Sequence, residues 1–103
     1  MKIAQIDLFE IEIPPTPPIA KYSPKIFDLT ICRIHTDEGL VGLGEAHGKP
    51  PAFTAQAAAY TGQDPLALDP FAQPDPFQCA LLDIAGQAAG LPLYRFFGEK
   101  VRD

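Results

Sequence analysis

The chain has 103 residues, 47% of them hydrophobic and 20% charged, with a formal net charge of −5 at pH 7. That length suits one domain with a modest core, and the hydrophobic share excludes an intrinsically disordered chain. The acidic balance excludes nucleic acid and anionic membrane surfaces as natural partners, and no apolar run reaches transmembrane length.

Residues 2–13, KIAQIDLFEIEI, read as a strand. Phe9, Ile11 and Ile13 alternate with Glu10 and Glu12, which predicts one buried and one wet face. Ile6 and Leu8 hold the opposite phase, so a bulge or change of buried face is expected near Leu8-Phe9. Met1 opens directly into this strand pattern, with no signal-peptide signature. The next segment, PPTPPIAKYSPK over 14–25, contains five prolines and is a long surface loop. Residues 26–36 form a second strand, rich in β-branched and aromatic residues, and Asp37-Glu38-Gly39 a turn. Residues 40–46 return as a third strand in an antiparallel hairpin. Gly42 and Gly44, on alternate positions, leave one face of that strand bare for a close helix or backbone.

A second loop, HGKPP, covers 47–51. The alanine-rich stretch 52–60 is helical by propensity and ends at Gly62. Three prolines restrict 63–74 to turns or a single helical turn. In 76–89, Phe77, Ala80, Leu81, Ile84, Ala85 and Ala88 fall at helical spacing. Asp75 is placed to N-cap that helix, Gln78 to complete a capping box, and Gly90 to end it. A further short helix is expected over 92–97. Leu82 and Ala89 lie off the main stripe, so helix 76–89 is apolar around most of its circumference and asks for covering on more than one side. The fold class is α+β: a three-stranded antiparallel β-meander followed by a small helical bundle, one domain over 1–103.

The chemistry-bearing residues are few. His35 and His47 have no partner at metal-ligand spacing; His35 reads as the wet end of a hairpin, and His47, beside Gly48 and Lys49, either as a residue that touches a ligand or as one of a plain solvated loop. Asp64, Asp69, Asp75 and Asp83 stand among prolines and turns, where aspartate serves as a cap rather than as part of a cation site. Gly42-x-Gly44 lacks the third glycine and the following helix of a phosphate loop. Cys32 and Cys79 sit in apolar settings with no basic neighbour, as buried reduced thiols, which points to a cytoplasmic protein. Ser23, the only serine, lies in the proline-rich loop beside Tyr22. The residues present contain no self-sufficient catalytic constellation and no metal ligand set.

Three segments taken together, KIAQIDLFEIEIP, ICRIHTDEGLVGLGEA and ALLDIAGQAAGLPLYRFFGEKVRD, resemble the N-terminal domain of the mandelate racemase/muconate lactonizing enzymes in the enolase superfamily. The resemblance runs through essentially the whole chain in order, although the stretch between Gln63 and Asp75 is shorter than is usual there. It implies a capping domain that closes over the mouth of a (β/α) barrel. The barrel of such enzymes carries Mg2+-binding carboxylates and lysine or histidine bases, which remove a proton next to a substrate carboxylate. The outcome is racemisation, cycloisomerisation or dehydration. The cap supplies specificity and excludes water through two loops, which by position match Tyr22 and Ser23 in the first and His47, Gly48 and Lys49 in the second. No cofactor is expected in this chain, and Mg2+ is expected in the barrel. Because the sequence stops where the first barrel strand is expected, the chain alone is expected to be inert. Its partners would be the barrel domain, a small carboxylate in the full enzyme, and a second copy through helix 76–89. The alternative is a stand-alone binding or assembly module of the same fold that self-associates.

Overall fold

The computed structural model describes residues 1–13 and 27–90. Tyr22, Ser23 and the helix expected over 92–97 lie outside the described residues. Strands β1 (Ile3–Ile13), β2 (Phe27–Thr36) and β3 (Val41–His47) form one antiparallel sheet in the order β1-β2-β3. Helices α1 (Thr54–Tyr60) and α2 (Phe77–Ala89) follow, so the class is the expected α+β.

The β2–β3 hairpin closes as its sequence predicts. Gly39 takes φ +87°, where a side chain would be strained, and its N–H donates to the Thr36 carbonyl at 3.2 Å. The Thr36 hydroxyl accepts the Leu40 N–H at 3.0 Å. Lys2 and Asp37 exchange hydrogen bonds of 2.9 Å, which fastens the start of the chain to this turn. Ile3 does the same on its other side, bonding Gly62 and Gln63 at 2.8 Å.

The helices cover one face of the sheet. Register places Ile6 opposite Ile34 and Gly42, and Leu8 opposite Cys32 and Gly44. On that face Cys32 and Ile34 join Phe77, Ala80, Leu81 and Ile84 of α2, and Ala57 and Tyr60 of α1, in the core, with Ile6 and Leu8 packed against it. The bare face expected at Gly42 and Gly44 is where α2 rests. A methyl at Gly42 would meet the Ala80 carbonyl and lie 2.7 Å from Ile84 Cγ1; one at Gly44 would meet the Pro76 carbonyl and lie 3.0 Å from the Ala80 nitrogen. The contact is therefore backbone against backbone. α2 also closes the outer edge of β3: Asp83 accepts the Leu43 N–H at 2.9 Å, and Gln87 donates to the Val41 carbonyl at 2.6 Å. An edge strand left bare would be a template for pairing with another chain, and two side chains of one helix fill it.

Several expectations are corrected. The ladder irregularity falls between Ile3 and Gln5, not at Leu8-Phe9, and the pairing is continuous from Gln5 to Ile13. Phe9 and Ile11, expected in the core, are 42% exposed, because the helices lie across the Ile6 and Leu8 face instead. Asp75 does not cap α2. The first helical residue is Phe77, and the Phe77 and Gln78 amides both donate to the Pro74 carbonyl at 3.0 Å. The Asp75 carboxylate accepts the Cys79 thiol instead, and Cys79 is exposed rather than buried. Gly90 ends α2 at φ +68° as expected.

The apolar circumference of α2 is also placed differently. Leu82, read as part of an outward face, is only 4% exposed. The large exposed hydrophobic side chains among the described residues, apart from Leu66 and Phe71, are Phe9, Ile11 and Leu43 on the uncovered face of the sheet. Leu82 is therefore not available for self-association through helix 76–89, whereas Ala88 and Ala89 are exposed.

Candidate functional site

The site is built at one end of the sheet. Ile13 pairs with Phe27, and Leu29 pairs with His47, so the segments 14–26 and 47–51 both leave from this end. The strand ends that flank the two loops singled out by sequence therefore lie at one end of the sheet, with the hairpin turn at the opposite end.

The second loop is held from three directions. The Gly48 N–H donates to the Asp28 carbonyl at 3.0 Å, and the Thr30 hydroxyl donates to the Gly48 carbonyl at 2.8 Å. Gly48 takes φ +117°, and the Phe53 ring lies 3.7 Å from where its Cβ would be. Next, Pro50–Ala52 form one 3-10 turn in which the Ala52 N–H returns to the Lys49 carbonyl at 3.0 Å. Lys49 is left exposed between two fixed points. His47, also exposed, shares a sheet face with Leu43 and Glu45.

Sequence reasoning missed two groupings. On the covered face but near the loop end, Glu10, Glu12 and Asp28 bring carboxylate oxygens within 4.8 Å of one another. Glu10 and Glu12 share a face by strand alternation, and only the β1–β2 register adds Asp28. On the open face, Asp7 accepts from Gln5 at 2.6 Å and meets His35 Nε2 at 2.8 Å and an Arg33 nitrogen at 3.5 Å. The Gln5 and His35 hydrogen bonds hold the Asp7 carboxyl below its ordinary value. Arg33 in turn lies over the Phe9 ring, 4.9 Å from its centre. His35 is therefore a hydrogen-bonding partner of Asp7 rather than only the wet end of a hairpin.

Neither thiol is poised as a nucleophile. Burial pushes Cys32 up to about 12, and partial desolvation by its neighbours, with the Asp75 carboxylate, pushes the exposed Cys79 up. Three of the four aspartates singled out by sequence are engaged with backbone: Asp64 takes the Leu66 N–H, Asp69 the Phe71 N–H and Asp83, within α2, the Leu43 N–H. With Asp75 on Cys79, these four do not converge on a cation site. No helix among the described residues is long and apolar enough to cross a membrane.

No family model matches the chain. The curated cis-3-hydroxy-L-proline dehydratase of Roseibium aggregatum is 30% identical over 131 aligned positions, which take in all of this chain and 36% of the relative. Among solved structures, an enolase-superfamily member from Roseovarius nubinhibens complexed with magnesium is 28% identical, with a TM-score of 0.77, over 96% of this chain and 34% of its own. Muconate lactonizing enzyme from Pseudomonas putida is 26% identical, with a TM-score of 0.72, over 100% of this chain and 34% of its own. This chain belongs to the enolase superfamily. Its meander and helices have the fold of that superfamily's N-terminal domain, on the mandelate racemase/muconate lactonizing side. The chain spans about a third of the length of the relatives it matches.

Proposed function

We propose that this enolase-superfamily domain is the specificity-bearing cap of an enzyme that abstracts a proton beside a carboxylate, with the catalytic groups on a (β/α) barrel. The supporting observation is that both candidate loops leave one end of the sheet, so a single partner face placed there meets them together. Racemisation, cycloisomerisation and dehydration are the reactions proposed for the complete protein, and the dehydratase and the muconate lactonizing enzyme among its relatives support the last two.

Magnesium is assigned to the barrel side of this reading, in keeping with the magnesium-bound relative. In this chain Asp64, Asp69 and Asp83 accept backbone N–H groups and Asp75 meets a thiol, while Glu10, Glu12 and half-buried Asp28 form a carboxylate cluster on the cap itself. A magnesium bound on the barrel would supply charge stabilisation to the substrate carboxylate oxygens, on which negative charge builds as the proton leaves. The cap's own residues bind and exclude water. Lys49, on a fixed backbone, offers an ammonium to an anionic substrate, with His47 and Gly48 beside it. Tyr22 and Ser23 of the other loop are the further residues assigned to substrate contact, and the cytoplasm is the proposed location.

The residue to test is Lys49. In the active protein, Lys49→Ala is expected to raise KM for a carboxylate substrate about tenfold or more with kcat nearly unchanged, as loss of uniform ground-state and transition-state binding requires. An unchanged KM would remove Lys49 from the site, and an unchanged KM on loop exchange at 47–49 would remove the loop.

A further inference from the structure

We propose that Thr30 is the positioning residue of the 47–51 loop, and that this loop is a prebuilt shelf rather than a lid that orders around its ligand. Thr30 lies in the middle of the three-stranded sheet, on the covered face, and is 0% exposed. A hydroxyl buried that completely needs a partner, and an unpaired one is costly. Of its cross-strand neighbours, Ala46 has no polar side-chain group, and the hydroxyl does not turn to the exposed Glu10 carboxylate. It reaches past the end of β3 and donates to the Gly48 carbonyl at 2.8 Å.

Two residues before it, Asp28 accepts the Gly48 N–H at 3.0 Å. Alternate residues of the central strand thus hold both polar groups of one glycine, the first through its backbone and the second through its side chain. Gly48 at φ +117° turns the chain sharply at that point. Lys49 follows at once, its own carbonyl taken by Ala52. Its backbone is fixed on both sides, and only the rotamers of its side chain remain to be ordered by a ligand. Binding energy is then not lost to ordering the loop. Thr30 touches no ligand; it acts through Gly48. This inference rests on the reading that the loop faces substrate.

The test is amide hydrogen exchange on the chain, with Thr30→Val and Thr30→Ser beside the wild type. Thr30→Val keeps the shape and removes the donor. Exchange at Gly48 and Ala52 is expected to rise about fivefold or more, the factor set by one ordinary hydrogen bond, while Cys32 and Ile34 stay protected. Thr30→Ser, which restores the hydroxyl, is expected to bring both amides back towards the wild-type rate. Unchanged exchange at Gly48 in Thr30→Val would overturn the proposal, and so would a parallel rise along all of β2. Should Thr30→Val not fold, the wild type still decides: a slowly exchanging Thr30 hydroxyl proton is expected, and a rapidly exchanging one would contradict the proposal. Neither readout involves substrate, so a failure here is separate from a failure of Lys49→Ala to change KM.

Discussion

Gly44→Ala is expected to lower the stability of this domain by about 3 kcal/mol or more, above the usual range for overpacking because the obstacle is backbone. The added methyl would meet the Pro76 carbonyl and lie 3.0 Å from the Ala80 nitrogen, and neither can rotate away as a side chain would. Relief requires α2 to lift from β3. That movement would also break the Asp83 and Gln87 contacts with the strand edge. Against a typical domain stability of about 5–15 kcal/mol, such a loss is a large fraction of the whole. Chemical denaturation of Gly44→Ala beside Gly62→Ala is the check. A methyl at Gly62 would have nothing within 4 Å, and its cost comes from φ +91° alone, about 1–2 kcal/mol. Equal midpoints for the two variants would contradict the close approach of helix and strand.

Phe77→Ala is expected to cost about 3–5 kcal/mol. Phe77 is fully buried at the start of α2 and joins the two helices to the sheet. Its ring meets Tyr60 of α1 at 4.9 Å between centres, and Phe53 edge-on at 6.4 Å. Each pair adds about 0.5–1.5 kcal/mol beyond the area it buries. The cavity would open between the helices rather than inside either one. Tyr60 is tethered through its hydroxyl, which donates to Gln73 at 2.6 Å, so it is poorly placed to move in and fill the space. Phe77→Leu is expected to recover part of the loss, since it keeps volume but not the aromatic contacts. Thermal unfolding orders the three proteins: wild type highest, Phe77→Leu next, Phe77→Ala lowest. A Phe77→Ala midpoint within a degree of wild type would contradict this account of the core.

What the sequence made legible was local or periodic. The turn at Gly39, the stop at Gly90 and the bare strip at Gly42 and Gly44 each follow from the steric freedom of one residue type, and all three stand in the structure. Reading the buried face of β1 failed for a physical reason. The strand is apolar in both phases, Ile6 and Leu8 in one and Phe9 and Ile11 in the other, and the position of the helices decides between them. That position is set by glycines some thirty residues further on, in β3. The Asp75 cap failed in a similar way. The spacing was right, but the Pro74 carbonyl reaches both amides first and leaves the carboxylate to Cys79.

The candidate site divides along the same line. The two loops are visible in the sequence by their prolines and glycines, but their common origin at one end of the sheet depends on strand register. The pairing of Asp7 with His35 and the hold of Thr30 on Gly48 link residues 28 and 18 positions apart. Only the assembled sheet brings such residues together, and no local pattern marks them.

The intact mass of the native protein purified from its source cells tests the cap reading most directly. This chain accounts for 11.2 kDa and spans about a third of its relatives. The account predicts a polypeptide close to three times that mass, or an 11.2 kDa subunit that purifies with a barrel-sized partner. An 11.2 kDa protein alone, or associated only with copies of itself, would contradict it.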